Sequence, residues 1–368
     1  MGDRPCLPHK VGGARCDTCD QFEPDGTRVL LVKLAASGDV LRTTAVLEGL
    51  RRTHAPCSIT WVTAADSVPL ITGHPEIDRI VSFSGALPVE LSCAPPFDLT
   101  LNLDSAPDAC ALAAAVPSHK RIGFGLAEDG KPAPLTEGAR TWFEMGLDDD
   151  AKRGNRRTFY EHLADVAEVP IDSRPRLFLN ERARSAAARI LARHGLARCA
   201  RLVGLNTGAG ARWPLKKWTF DGQVELVKKL TADPTVSVVL LGGPEERARN
   251  QALSEAVGDA AIHLGCEHPI PVFAALIERL AVLVTGDTLA MQIATALGVQ
   301  QVVLFGPTSS AEIDLFGRGE KISSSAMDCL VCYLTACDKD PNCMNTISSD
   351  VVHAAVLRQF ETSESQTT

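Results

Sequence analysis

Residues 29–44, VLLVKLAASGDVLRTT, decide the fold of this chain, because an apolar strand runs there into a Ser-Gly-Asp turn and then into a helix. Strand, glycine turn and helix start form the anion-facing corner of an α/β domain, where unpaired N–H groups and a partial positive charge attract phosphates and acids. Asp39 stands at this helix start. The segment alone favours a capping role for its carboxylate, with a chemical role as the alternative.

Length and composition are those of a two-domain globular protein. The 368 residues exceed what one core usually fills, and 45% hydrophobic with 22% charged residues is ordinary. The sequence contains no apolar run of bilayer length, and the first residues, MGDRPCLPHK, have no secretory apolar region, so a cytoplasmic location is expected. The net charge of −8 argues against a general nucleic-acid binder.

Strand-like and helix-like segments alternate, which predicts parallel sheets covered by helices on both faces. In the first half we predict strands at 29–34, 58–63, 79–83, 98–103 and 121–125, helices at 40–53 and 109–116, and a long surface loop or partial linker at 127–157. A second alternating set begins after Pro175. Two doubly wound domains would meet at a central cleft, and ligands bind such sheets beyond the carboxyl ends of the strands.

This alternation divides the chain into four segments. They are an N-terminal Cys/His segment (1–26), a first Rossmann-like domain (27–178), a second Rossmann-like domain that carries a cysteine cluster at 329–343 (179–350), and a C-terminal helix with a disordered tail (351–368).

Four glycine loops follow predicted strands of the second half: TGAG at 207–210, GGPEE at 242–246, GDT at 286–288 and GPTS at 306–309. Each can present backbone N–H groups to a diphosphate, although the chain connections alone also require glycine turns. The candidate contacts are Thr207 and Gly208, with Lys216 adding positive charge nearby. Glu245 or Glu246 could accept hydrogen bonds from ribose hydroxyls, or could simply favour the helix dipole.

An ordered set of motifs now covers nearly the whole chain from residue 29: LLVKLAASGDVLRTTAVLEGLRR, ITWVT, TGAGARWPLKKW, VVLLGGPEE, LVTGDTLAMQIATALG and VVLFGPT. This set resembles glycosyltransferase family 9, the ADP-heptose:lipopolysaccharide heptosyltransferases. The resemblance implies a GT-B fold of two Rossmann-like domains, with the acceptor bound by the N-terminal half and the nucleotide sugar by the C-terminal half. It also implies an inverting enzyme that needs no catalytic cofactor.

The partners implied by the resemblance are an ADP-sugar donor, most simply ADP-heptose, and a lipopolysaccharide core or related surface glycan as acceptor. Nucleic acid is not expected. A lipid-linked acceptor would bring the protein to the cytoplasmic face of the inner membrane without an anchor of its own.

The resemblance assigns roles to several residues. Asp39 becomes the general base, and the helix N-terminus should lower its pKa. The family's Asp-Thr-Gly-x-x-His donor element corresponds to Asp287, Thr288 and Gln292, with leucine in the glycine position and glutamine in the histidine position. Lys216 keeps the W-x-x-K-x-W spacing and its role at the diphosphate. The two departures keep open a second hypothesis, a non-catalytic nucleotide-sugar-binding protein on the same scaffold.

Seven of the twelve cysteines lie in two terminal clusters. The first set, Cys6, His9, Cys16 and Cys19, has the spacing of a small zinc knuckle, the alternative being a tail with incidental thiols. The second set is Cys329, Cys332, Cys337 and Cys343, where buried thiols or a disulfide compete with a metal; a single site shared by the two sets is a further alternative. Four soft ligands close a zinc site, so any zinc would be structural. A metal-dependent redox protein with an iron–sulfur cluster is the third hypothesis.

Overall fold

The computed structural model describes residues 7–15, 26–210 and 213–365 and contains two six-stranded sheets. The first consists of β1 (Thr27–Val32), β2 (Cys57–Ala64), β3 (Arg79–Phe83), β4 (Phe97–Asn102), β5 (Ser118–Leu126) and β6 (Pro132–Pro134). Its order is β3-β2-β1-β4-β5-β6, parallel throughout except for the pair of β5 and β6.

The second sheet consists of β7 (Arg201–Asn206), β8 (Val236–Leu241), β9 (Ala261–His263), β10 (Val282–Gly286), β11 (Gln300–Phe305) and β12 (Gly319–Ser323). Its order, β12-β11-β10-β7-β8-β9, is parallel throughout. Both sheets have the strand order of a Rossmann fold. The predicted α/β class with two doubly wound domains is therefore confirmed.

Helices surround both sheets. The N-terminal half contains α1 (Leu7–Gly12), α2 (Ser37–Thr43), α3 (Val46–His54), α4 (Val68–Ile71), α5 (Val89–Ser92), α6 (Pro107–Ala115), α7 (Glu137–Leu147), α8 (Asp149–Gly154) and α9 (Phe159–Ala167). The C-terminal half contains α10 (Glu181–Arg193), α11 (Phe220–Leu230), α12 (Arg247–Val257), α13 (Ile270–Glu278), α14 (Leu289–Leu297) and α15 (Ser349–Ser365). Within the ranges described above, none of these helices has the length and apolar character needed to cross a membrane.

The central strands are buried on both faces. In β1 the run from Val29 to Val32 has no solvent exposure, and β10 and β11 are buried along their whole length. Parallel strands covered by helices on both sides have such continuous apolar sequences. The C-terminal helix α15 adds Val352 and Val356 to the core of the second domain. The predicted tail after residue 365 lies outside the described residues.

Two predictions about the first half were wrong. Residues 127–157 do not form a loop but contain β6, α7 and α8, because Ala139, Trp142 and Phe143 have the helical i, i+3, i+4 spacing and pack against the first core. The helix predicted at 40–53 is split into α2 and α3. Its break is at Thr44, whose hydroxyl donates to the Leu41 carbonyl at 2.8 Å and accepts from the Arg176 N–H at 3.0 Å.

The two domains touch at two places beside the cleft. Helix α2 packs against α14, where a Cβ atom added to Gly38 would lie 3.4 Å from Gln292 Cγ. The Phe159 N–H donates to the Glu312 carbonyl at 2.9 Å. These contacts place the start of α2 opposite the carboxyl ends of the second sheet.

Candidate active site

A cavity of about 650 Å³ lies between the start of α2 and the loops that follow β7, β8, β10 and β11. Its lining from the first domain includes Asp39 and Arg42. The second domain contributes residues from all four glycine loops, Gly208, Gly243, Asp287 and Thr308 among them. The loops predicted to gather at one edge of the sheet therefore do so, and they face Asp39.

Asp39 lies in the first turn of α2, and its side chain is 39% exposed toward the cavity. Arg42 Nη2 contacts Asp39 Oδ1 at 2.8 Å, and the Arg42 guanidinium lies 3.5 Å from the centre of the Phe159 ring. Burial alone would raise the pKa of Asp39, but the charges of Arg42 and Lys33 outweigh it and hold that pKa below its usual value. A hydrogen bond with the Ala36 backbone contributes to the lowering, and the side chain faces the cavity as a carboxylate.

Lys216 and Asp287 form an ion pair at the end of β10. The lysine Nζ lies 2.7 Å from Asp287 Oδ2 and donates to the Asp287 carbonyl at 3.2 Å, with both side chains mostly buried. The backbone of Lys216 crosses the strand end so closely that a Cβ atom at Gly286 would lie 2.7 Å from its carbonyl oxygen. Lys216 and Asp287 are both candidate donor contacts from the sequence, and the structure places their side chains together in the cavity wall.

Glu246 joins two of the glycine loops. Its carboxylate is buried and accepts hydrogen bonds from the N–H groups of Gly210 and Gly243, both at 3.0 Å. Two of the backbone donors expected to serve a diphosphate are therefore occupied within the protein. The lining residue is Glu246, whereas Glu245 is exposed and is not among the residues that line the cavity.

Of the two predicted contacts Thr207 and Gly208, only Gly208 lies at the cavity. Thr207 is buried beneath the loop, where its hydroxyl hydrogen-bonds Asn250 and its carbonyl accepts from Gln223 Nε2 at 3.1 Å, and it is not among the residues that line the large cavity. Gly208 does line it, and any larger residue would collide with Glu246, since an added Cβ would lie 2.1 Å from that side chain.

Thr288 and Gln292 both line the cavity at the start of α14. The Thr288 hydroxyl accepts from Asn206 Nδ2 at 3.3 Å, and Gln292 is largely buried beside Gly38. Sequence reasoning missed several lining residues: Arg42, Asn206, His268, Glu312 and Tyr333. Asn206 could have been predicted from the sequence, because it is the last residue of a predicted strand whose carboxyl end was expected to face a ligand.

The predicted metal ligands are placed only in part. Cys6, Cys16 and Cys19 lie outside the described residues, and His9 is exposed with Nδ1 2.8 Å from the Ala14 carbonyl. In the C-terminal set all four thiols are free, and burial, followed by the neighbouring Cys332, raises the pKa of Cys343. Among the described residues, no three His, Cys, Asp or Glu side chains have an arrangement that could hold a metal ion. The described cysteines therefore do not fit a zinc site as they stand.

The family model described as "Glycosyltransferase family 9 (heptosyltransferase)" matches residues 93–341. No curated protein matches the sequence. Among solved structures, a family 9 glycosyl transferase from Veillonella parvula DSM 2008 has a TM-score of 0.75 and 20% identity, over 93% of this chain and 99% of its own.

Two Escherichia coli structures are also similar. The ADP-heptose lps heptosyltransferase II has a TM-score of 0.66 and 18% identity, over 92% of this chain and 99% of its own. Heptosyltransferase WaaC, determined with ADP, has a TM-score of 0.59 and 17% identity, over 91% and 99%. At these identities the structures establish the fold, and the family match covers more than half of the chain. The chain therefore belongs to glycosyltransferase family 9, the heptosyltransferase family, and is a glycosyltransferase with two Rossmann-like domains in the GT-B arrangement.

Proposed function

We propose that this enzyme transfers heptose from ADP-heptose to a hydroxyl group of a lipopolysaccharide core or related surface glycan, with inversion at the sugar carbon. One observation carries the proposal: a single cavity is lined by the Asp39 carboxylate of one domain and by Gly208, Lys216 and Thr288 of the other. Two solved structures of this fold are named as heptosyltransferases, one of them for ADP-heptose and one bound to ADP.

The proposed reaction is one displacement. The acceptor oxygen attacks the anomeric carbon opposite the diphosphate, a new C–O bond forms as the bond to the phosphate oxygen breaks, and the acceptor proton passes to Asp39. Negative charge that develops on the departing ADP is stabilised by Lys216 and by the N–H groups at the start of α14. No cofactor takes part in these steps.

The test is a donor and acceptor assay on the full chain. Incubation with ADP-heptose and a lipopolysaccharide core that lacks its heptoses should release ADP and add the mass of a heptose residue to the acceptor, as read by mass spectrometry. NMR of the product linkage reports inversion. Binding of ADP-heptose by calorimetry without transfer to any acceptor or water would contradict the proposal and favour the binding-protein hypothesis, which Leu289 and Gln292 motivate.

Structural zinc remains a prediction, and it now rests mainly on the N-terminal set. Elemental analysis of the purified chain should find stoichiometric zinc, which the double variant Cys16→Ser/Cys19→Ser should lose. The matched variant Cys329→Ser/Cys332→Ser should keep it, because the described C-terminal thiols do not form a metal shell. Zinc-free protein would contradict the prediction, and visible absorbance with bound iron would favour an iron–sulfur cluster instead.

A further inference from the structure

Glu312 and Tyr333 form a polar pair in the cavity wall that the proposed reaction does not use. The Tyr333 hydroxyl donates to Glu312 Oε1 at 3.1 Å and accepts from the Ser309 N–H at 3.3 Å. Within the part of the chain that the structure describes, the second carboxylate oxygen, Oε2, has no hydrogen-bond partner. A half-buried carboxylate thus keeps one acceptor atom available in the cavity.

The backbone holds Tyr333 in place at a cost. Val331 and Tyr333 have φ angles of 63° and 51°, in the left-handed region that bulky and β-branched residues avoid. Such a backbone conformation is strained and persists only where surrounding contacts impose it. Here the Tyr333 N–H donates to the Pro307 carbonyl at 2.8 Å, and the Val331 N–H donates to the Gly306 carbonyl at 3.3 Å. The segment is therefore fixed along the loop after β11, with Tyr333 directed at the cavity.

Glu312 lines the same cavity as Asp39 of the first domain and Asp287 of the second. Burial raises the pKa of its carboxyl group, and the charges of Asp287 and Asp39 add to the rise against the opposing effect of Arg42. Under the proposed function the reacting sugar lies in this cavity, so the Glu312 carboxylate is part of the wall that faces it.

Two contacts connect the pair to the donor side of the cavity. The ring of Tyr333 lies 6.4 Å from that of Trp213, and Lys216 Nζ lies 5.5 Å from the same Trp213 ring. Glu312 itself follows β11 in the domain that carries the four glycine loops. Both residues therefore belong to the second domain and lie next to its glycine loops, and the first domain touches them as well: the Phe159 N–H donates to the Glu312 carbonyl at 2.9 Å, and Lys152 Nζ lies 5.4 Å from the centre of the Tyr333 ring.

We propose that Glu312 is a specificity-determining residue for the transferred sugar: its Oε2 accepts a hydrogen bond from a hydroxyl group of the donor's sugar ring, while Tyr333 is a positioning residue that fixes the carboxylate. This inference rests on the proposed function. It assigns the Glu312–Tyr333 pair to the sugar and leaves the nucleotide to the glycine loops, so the two parts of the donor are recognised by separate residues.

The experiment compares Glu312→Gln and Tyr333→Phe with Glu320→Gln, a control that removes an acid paired with Arg358 outside the cavity lining. Calorimetry gives Kd for ADP and for ADP-heptose, and kinetics gives donor KM with ADP-heptose and a set of monodeoxy analogues. We expect Glu312→Gln to weaken the binding of ADP-heptose about tenfold or more, while ADP binds as tightly as it does to the wild type. In the wild type, one monodeoxy donor should have a higher KM than ADP-heptose, because it lacks the hydroxyl group that Glu312 binds. In Glu312→Gln this difference in KM should disappear. Tyr333→Phe should change the donor KM in the same direction but less strongly.

Three other results would contradict the assignment of the Glu312–Tyr333 pair to the donor's sugar. Equal losses for ADP and ADP-heptose would indicate a merely structural role, and a raised acceptor KM with unchanged donor KM would move the pair to the acceptor. An unchanged donor KM with every analogue would remove it from sugar recognition. These outcomes bear on the assignment when the wild-type enzyme transfers heptose in the same assay. A wild type that binds ADP but transfers no sugar contradicts the proposed function instead. Thermal unfolding confirms that each variant is folded.

Discussion

Asp39→Asn is expected to lower kcat by about 10²- to 10⁴-fold while the donor KM stays close to that of the wild type. The amide keeps the shape of the side chain but cannot take the acceptor proton. Donor affinity should persist, because the glycine loops and Lys216 belong to the other domain. A loss confined to kcat is the signature of a group that acts in the transition state.

The measurement is steady-state transfer by the wild type, Asp39→Asn and Asp66→Asn, the last an exposed acid of the same domain outside the cavity lining. Asp66→Asn should match the wild type. Arg42→Lys separates loss of the base from loss of the ion pair, because it keeps a positive charge near Asp39 while removing the guanidinium that contacts it. Transfer by Asp39→Asn within about tenfold of the wild-type rate would exclude Asp39 as the essential base, since general bases contribute more than this.

The pH dependence follows from the directions of the two pKa shifts. Because Arg42 and Lys33 hold the pKa of Asp39 below its usual value, its carboxylate stays ionised as the pH falls from neutral to about 5. The pKa of Glu312 is raised, so Glu312 is protonated first on acidification. The donor KM should therefore rise before kcat falls, and Glu312→Gln should remove that rise.

The sequence predicted the fold well because its strongest signals are local. Continuous apolar strands such as β1, each followed by a glycine turn, leave few alternatives to a parallel sheet. Asp287 directly follows β10 and therefore lies at the carboxyl edge of the second sheet, and the predicted cleft between the two domains brings Asp39, which follows β1 of the first sheet, to face it. Helix α7 escaped prediction because charged and glycine neighbours obscured its apolar positions.

The rest of the site depends on details that a linear pattern does not contain. Whether Glu245 or Glu246 faces inward is set by the short turn Pro244–Glu246, and the loop closes on the buried Glu246, which accepts a hydrogen bond from the Gly210 N–H. The local turn of its loop likewise sets the direction of the Thr207 side chain, which points into the core. Tyr333 reaches the cavity only because its segment lies back along the loop after β11, a contact between residues 26 positions apart that no local motif encodes.

Lys216→Met is the second change with a large expected effect, and it should weaken ADP binding about tenfold or more and lower kcat about 10²-fold. Methionine keeps much of the side-chain volume but removes the charge that we propose stabilises the diphosphate. It also leaves Asp287 without its partner at 2.7 Å, so an uncompensated carboxylate would repel ADP. Both consequences act against the leaving group, which carries more negative charge in the transition state than in the bound donor.

The double variant Lys216→Met/Asp287→Asn separates these two consequences. Removing the carboxylate should recover part of the ADP affinity lost in Lys216→Met, while kcat remains low because no lysine stabilises the departing diphosphate. Lys228→Met, an exposed lysine of α11, serves as the control for a change of net charge. A double variant that binds ADP no better than the single one would show that repulsion by Asp287 is unimportant. Unchanged ADP affinity in Lys216→Met would exclude the lysine from the diphosphate site. Because the pair lies where the loops after β7 and β10 meet, we expect its charge balance to set how strongly this domain holds ADP before and after the sugar leaves.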